Sequence, residues 1–557
     1  MRLTRKEIYF IIFFLAFALR LLYLNQIMES PFFDNPAVNE YEYDSWAREI
    51  VSGKLLRDVI PYHGPVYPYI LAFIYKIFGI NRFMGRLFGV VVSSLTSVLM
   101  ASFCMRSAGR KAGMIAGVLS AVYWPFIYWS GELLVTTLAL FCNMVILLFL
   151  WDIKKRPRPF TFLLCGILIG LSAVTRPNIL LLMPFIAGWV FFCPMPRRLK
   201  LTGTALMISA AAVIIAPVTL MNHIISGDLV FIQAQSGLNM YLGLNPHLDG
   251  LHSIRPGIEW DKLMLVPIRL GYIFDSQRTK FWLEQAVLVV SNEPVLFMKH
   301  LLRKIFFILS QNEISSGRYI FFNREFAPFI YSLPGFWLIG PLGIGGFLFL
   351  LKRVREMDVQ YIFISGIFLT SLPFQTCSRY RVTLVAMLLI FASYVVSEFI
   401  DRLYKRDKKA VFTMAGLIFI GSLVVNLDIM DTRGRDHSRI HLNLAQAYTR
   451  VSQYDKALDE VKKAVDAGPQ DADVYKTMGD VFLGMGDLEK AENSYKKALD
   501  IEPEYFIVMN DLGVIKGEQG DLDSAERFFR KAVIVYPFFE KAKKNLETCA
   551  GLRLKRR

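Results

Sequence analysis

Hydrophobic and polar positions divide this chain near residue 430. Before that point, apolar runs alternate with short basic loops; from about residue 437 the chain is charged, and its apolar positions recur with a helical period. The apolar runs predict about eleven membrane spans, at 8–27, 84–106, 112–129, 133–151, 160–176, 178–194, 202–222, 327–351, 359–376, 380–400 and 411–430. The first run, Phe10 to Leu24, is followed by no small-residue cleavage site and is expected to stay as a span. Segment 293–312 is apolar too, but Lys299, His300, Arg303 and Lys304 interrupt it, so it is expected to lie along the membrane surface.

The basic residues orient the spans. Arg2, Arg5 and Lys6, then Arg106, Arg110 and Lys111, Lys154 to Arg158, Arg197 to Lys200, Lys352 to Arg355, and Arg402 to Lys409 all fall on one side. That side is expected to be the cytoplasm, with the N-terminus there and the charged C-terminal part outside, in a multi-pass protein of the plasma (inner) membrane. The outer face then collects loops 28–83 and 223–326, Glu132, Arg176 and the Ser378-Arg379-Tyr380-Arg381 run.

Residues 437–557 repeat with a period of 34: Ala457, Ala491 and Ala525; Ala464, Ala498 and Ala532; Pro469, Pro503 and Pro537. Ala445, Gly479 and Gly513 hold the small position of the first helix of each unit. This is the tetratricopeptide pattern, in which small residues let paired helices approach and proline ends the second helix. Three repeats and a capping helix are expected, forming an α-solenoid that binds a protein partner. Asp471-Ala472-Asp473 and Asp521-Leu522-Asp523 look like metal-binding pairs, but they sit in inter-helix turns and read as helix caps.

Composition narrows the class. The chain is 54% hydrophobic and 20% charged, with mean hydropathy +0.40, which excludes a disordered or fibrous protein and argues against an ordinary soluble enzyme. The net charge of +16 lies in the loops of an apolar chain and points to topology, not to nucleic acid. The six cysteines form no CxxC pair, so neither a disulfide framework nor a zinc site is expected. No P-loop, HExxH, GxSxG or dinucleotide-binding glycine motif is present.

The chemistry-bearing residues cluster in the first loop, which holds Glu40, Glu42, Asp44, Tyr43, Trp46 and His63. The plain reading is a solvated amphipathic helix; the alternative is a carboxylate held at the membrane surface as a general base, with aromatics shaping a sugar-sized pocket. Glu132 caps a helix or acts as a second acid. Arg176 is an interfacial anchor or a phosphate clamp, and Lys304, Arg379 and Arg381 are further phosphate candidates.

Taken in order, these elements resemble the GT-C-type membrane glycosyltransferases that use polyprenol-phosphate sugars, such as protein mannosyltransferases and aminoarabinose transferases. The matching runs are Asn39 to Ala47, Gly64-Pro65-Val66-Tyr67-Pro68-Tyr69, Phe78-Gly79 with Arg86, Tyr123-Trp124-Pro125 with Glu132, and Thr175-Arg176-Pro177-Asn178. Gly237-Leu238-Asn239, Gly243-Leu244-Asn245-Pro246 and Ser378 to Arg381 complete the set. A C-terminal tetratricopeptide array is a common companion in this group. The resemblance implies an all-α, polytopic enzyme (residues 1–430) that moves a hexosyl or pentosyl group from a polyprenyl-phosphate donor to a protein, lipid or glycan acceptor of the cell envelope, on the non-cytoplasmic face and with inversion. It implies Glu40, Asp44 and Glu132 as catalytic candidates, and Asn39, Tyr43, His63, Tyr67, Arg176, Asn239, Lys304, Arg379 and Arg381 as substrate-binding candidates. Asn39 stands where relatives most often carry an aspartate; asparagine cannot act as a base, so the role passes to Glu40 or Asp44. No metal ligands are assigned, and participation of a divalent metal is left open. Competing classes are a non-catalytic membrane scaffold presenting the repeats and a transporter of lipid-linked sugars.

Overall fold

The computed structural model describes residues 3–58, 60–248, 257–313, 320–427, 437–467 and 471–556. Every regular element among them is helical. The chain forms two units, one of Met1–Ile254 with Tyr272–Met430, the other of Arg255–Gly271 with Asp431–Arg557.

Among the described residues of the first unit, seven helices are long and apolar enough to cross a membrane: Arg5–Glu29, Arg82–Ala108, Thr136–Lys155, Arg197–Ser226, Pro328–Arg353, Ser378–Tyr404 and Lys408–Asn426. The pair Arg110–Val122 and Trp124–Ser130 makes an eighth if counted as one span, bent by 57°. Pro125 in the first turn of the second helix accounts for the break, since it cannot continue the preceding hydrogen-bond ladder. The expected eleven spans therefore fall to seven or eight. The runs at 160–176, 178–194 and 359–376 do form apolar helices, but short ones: Pro159–Thr175, Pro177–Phe192 and Asp358–Ser371. Fourteen residues rise about 21 Å, short of a hydrocarbon core of about 30 Å. The segment read as lying along the membrane becomes the helix Pro294–Leu309, which buries His300, Lys304, Phe307 and Ile308 on one side.

Small residues bring these helices together. A Cβ at Gly166 would lie 2.2 Å from the Met207 carbonyl oxygen, and one at Gly170 2.9 Å from that of Ala211. Helices Pro159–Thr175 and Arg197–Ser226 thus touch backbone to backbone, a geometry that replaces hydrophobic drive in apolar surroundings. Gly64 packs the same way, with its would-be Cβ 2.2 Å from the Val174 carbonyl oxygen. That contact seats the first loop on the end of helix Pro159–Thr175, next to Arg176.

In the second unit, the 34-residue period becomes three helix pairs, His437–Arg450 with Tyr454–Ala467, Ala472–Gly484 with Leu488–Ile501, and Phe506–Glu518 with Leu522–Val535. Helix Glu540–Arg556 caps them. Gly479 is small because Tyr495 of its paired helix lies against it; a Cβ would approach that ring to 2.4 Å. Gly513 faces Phe529 at 2.5 Å in the same register. Asp471 and Asp521 accept backbone N–H bonds as helix caps, as their positions predict. Pro469 lies outside the described residues, as does the end of the run at 411–430. The array was expected to begin at 437, but the second unit also contains a piece of the 223–326 loop, the helix Ile258–Arg269.

Candidate active site

The first loop folds into the helix Asn39–Val51, which starts after Val38 at φ 52. Its buried side carries Glu40, Tyr43, Asp44 and Ala47, spaced three and four apart as one face requires. Asp44 is fully buried and its carboxylate is already occupied. Arg82 donates to both oxygens at 3.1 and 3.0 Å, the Tyr75 hydroxyl donates at 2.7 Å, and Arg48 pairs with it at 3.1 Å. Glu40 accepts the backbone N–H of Leu133 at 3.1 Å and lies 3.7 Å from Arg86. Glu132 accepts from Asn323, which also donates to the Tyr23 hydroxyl at 2.7 Å. The three acids named as catalytic candidates thus fasten the loop and the helix ends to one another, work any buried charge needs if it is to persist.

A different acid faces outward. Glu42 keeps 35% of its side chain exposed and lies 3.4 Å from His63 Nε2. Burial of the rest pushes its carboxyl above the usual range, against an opposing pull from Arg57. His63 Nε2 also contacts the Asn39 side-chain oxygen at 3.2 Å. Burial, reinforced by Arg379 and Arg57, lowers the imidazole to about 3, so it is neutral at physiological pH. Both neighbours are oxygens, so the fitting tautomer carries its proton on Nε2 and donates. The imidazole stacks on Tyr43 at 5.0 Å, and Tyr43 meets Tyr67 edge-on at 5.2 Å. Asn39, Tyr43, His63 and Tyr67 therefore form one wall.

The cations sort into two groups. Lys304 is fully enclosed and donates to the carbonyls of Gly243, Leu372 and Phe374 at 2.7, 2.5 and 2.6 Å. Arg381 pairs with Glu313 at 2.6 Å, donates to the carbonyls of Ile308 and Ser310, and lies over the Phe336 ring. Both are engaged by protein groups: each ties down backbone that would otherwise be buried without a partner. Asn239, half-buried on helix Ser236–Leu244, makes no side-chain hydrogen bond among the described residues.

Arg176 and Arg379 are different. Arg176 makes one long bond, 3.4 Å to the Arg379 carbonyl, and one of its terminal nitrogens is buried with no partner. Arg379 reaches the Tyr380 hydroxyl at 3.0 Å, and its Nε is buried without a partner. Both guanidinium groups sit on the Tyr380 ring, at 4.3 and 5.0 Å. No carboxylate pairs with either among the described residues. A cavity of about 60 Å³ opens beside Arg176, lined also by Asn143, Ser172, Asn178, Gln375, Tyr380 and Thr383. Tyr43 and His63 feel the charge of Arg379, which joins the loop wall to this cation pair. A half-buried Arg176 beside the cavity and a buried Arg379, both without counter-charge among the described residues, are an arrangement suited to an anion.

Sequence reasoning singled out neither Glu42 from its neighbouring acids nor Tyr380 as the platform for both arginines. Arg176 and Arg379 are 203 positions apart, so no local pattern reports that they meet.

Family models match two parts of the chain. Residues 62–221 match the family model described as dolichyl-phosphate-mannose-protein mannosyltransferase. Residues 436–504 and 476–538 match two tetratricopeptide repeat models. Part of the membrane unit is thus similar to a membrane glycosyltransferase family, and the C-terminal part to tetratricopeptide repeats. The mannosyltransferase match contains His63, Tyr67, Glu132 and Arg176. No curated protein matches the chain. Among solved structures, an archaeal oligosaccharyltransferase from Archaeoglobus fulgidus, in complex with an inhibitory peptide and a dolichol-phosphate, overlaps 84% of this chain at 13% identity and TM-score 0.43. This chain spans only 60% of that structure's chain. The Sgt2 tetratricopeptide domain from Aspergillus fumigatus overlaps 21% of this chain and 80% of its own at 20% identity and TM-score 0.21. At such scores the overlaps decide nothing, and the assignment rests on the family matches.

Proposed function

We propose that the membrane unit transfers a sugar, of the hexose or pentose class, from a polyprenyl-phosphate donor to an acceptor hydroxyl on the non-cytoplasmic face. The observation that carries this reading is the pair Arg176 and Arg379, which share the Tyr380 ring without counter-charge among the described residues, with a cavity beside Arg176 and with the loop residues Tyr43 and His63 feeling the charge of Arg379. The donor phosphate binds the two guanidinium groups, and its lipid tail runs between the helices. Glu42 takes the proton of the acceptor hydroxyl, the hydroxyl oxygen bonds to C1 of the sugar, and the bond from C1 to the phosphate oxygen breaks. The leaving phosphate gains negative charge as it departs, where two fixed cations stabilise it most. One base and one direct attack invert the configuration at C1. His63 and Asn39 hold Glu42 and the sugar hydroxyls in place, and Tyr43 and Tyr67 pack on the sugar ring.

The matched family description favours mannose as the sugar and protein as the acceptor. The test is release of polyprenyl phosphate by purified protein from labelled polyprenyl-phosphate mannose in the presence of peptide acceptors. Wild type is run beside Arg176→Ala and Glu42→Gln. Turnover by wild type that both variants lose supports the assignment. Equal release by all three overturns the site, and no release by wild type with any mannosyl, hexosyl or pentosyl donor overturns the reaction.

A further inference from the structure

The inner surfaces of a tetratricopeptide array usually await a partner. Here the second unit already contains one. Helix Ile258–Arg269 belongs by sequence to the long segment between the membrane unit's helices, yet it folds with the repeats. Ile258 and Leu265, seven residues and two turns apart, are both buried on one face. Ile258 joins the cluster of Ala472, Tyr495, Tyr505 and Val508, and Leu265 joins that of Phe506, Met509, Ala532 and Ala542. A second pair seven apart, Lys262 and Arg269, meets Glu502 and Glu504 in the turn between the second and third repeats. At the helix start, Gly257 has φ +135, and a Cβ there would lie 2.2 Å from the Asp473 carboxylate. Asp473 is itself fixed by the Tyr505 hydroxyl at 2.5 Å and by Arg439 at 3.2 Å. The repeats thus present an apolar seat, an acidic rim and a fixed carboxylate, and the helix supplies the complement to each. The ion pairs are largely exposed and set register; the two apolar anchors supply most of the attraction.

We propose that helix 258–269 is a ligand the chain supplies to its own repeats, so that the array grips the 223–326 segment in cis. A protein partner reaches the same surface only by offering a helix of the same chemistry, with apolar anchors seven apart and a basic flank seven apart. The inference is independent of the transfer reaction.

The test uses full-length protein in detergent. Lys262→Cys with Glu502→Cys is treated with a short bifunctional maleimide; the six native cysteines are buried, so background is low. The control pair is Glu259→Cys with Glu502→Cys, because Glu259 lies on the exposed side of the helix. Intramolecular cross-linking at least about ten-fold above the control is expected, falling to the control level when Ile258→Asp and Leu265→Asp are added. A fluorescent peptide of residues 257–271 should then bind the Ile258→Asp, Leu265→Asp chain at least about ten-fold more tightly than wild type, whose seat is filled. Equal cross-linking of the two cysteine pairs, no effect of the aspartates, or peptide binding that is equal or absent in both chains overturns the proposal.

Discussion

Replacing Arg176 by alanine separates a substrate clamp from a structural anchor. Its protein contacts are weak: one bond of 3.4 Å, a stacking contact on Tyr380, and a terminal nitrogen left without a partner. Removing it relieves a desolvated charge and forfeits a cation–π contact of about 0.5–2 kcal/mol. The net effect on folding should be within about 1 kcal/mol. Turnover should respond very differently. Loss of one donor to developing negative charge costs about 2.7–4 kcal/mol, or roughly 10²–10³ in rate. Arg176→Lys keeps the charge but loses the planar fork and the stack, and an intermediate loss of about ten-fold is expected. Arg381→Ala is the internal reference. It strands Glu313, its buried partner at 2.6 Å, and should cost about 3–5 kcal/mol of stability. The assay pairs thermal unfolding in detergent with release of polyprenyl phosphate from labelled donor. If Arg176→Ala unfolds as readily as Arg381→Ala, or releases product like wild type, the clamp is refuted.

Glu42→Gln should lower turnover by about 10²–10⁴ without loss of folded protein, read by the same release assay. Because burial raises the Glu42 carboxyl, wild-type activity should fall as pH drops through a midpoint above the usual glutamate value near 4.5, while Glu42→Gln loses that limb; a pH–rate profile shows it. Asp44→Asn should instead reduce the yield of folded protein in size-exclusion chromatography, since it unpairs Arg82 and Arg48 at once. Gly479→Ala should destabilise the repeats by about 1–3 kcal/mol, seen as a lower melting transition of the second unit, because the Tyr495 ring occupies the space of the added carbon.

Periodicity alone determined the division into a membrane part and a repeat array. A 34-residue period with glycine at Gly479 and Gly513 demands paired helices in close contact, and the rings of Tyr495 and Phe529 occupy those positions. The apolar runs likewise marked the membrane helices, because burial in lipid leaves a strong, local signal. The run lengths overstated the spans, since apolar helices as short as Asp358–Ser371 are equally buried by neighbouring helices. The loop wall of Asn39, Tyr43, His63 and Tyr67 was legible as a motif because its members come from two adjacent segments. The function of each charge was not legible. Glu40, Glu42 and Asp44 are alike in sequence; only packing gives Asp44 a full set of partners and leaves Glu42 facing outward. The same holds for the cations. Lys304 and Arg381 are consumed by carbonyls and Glu313, while Arg176 and Arg379 are left short of partners beside a cavity. Likewise, the sequence places helix 258–269 between membrane segments, and only the fold seats it on the repeats. The reason is common to all three cases: a charge or an apolar face acquires its role from what desolvates or pairs with it, and the fold, not the local pattern, brings most of those neighbours together.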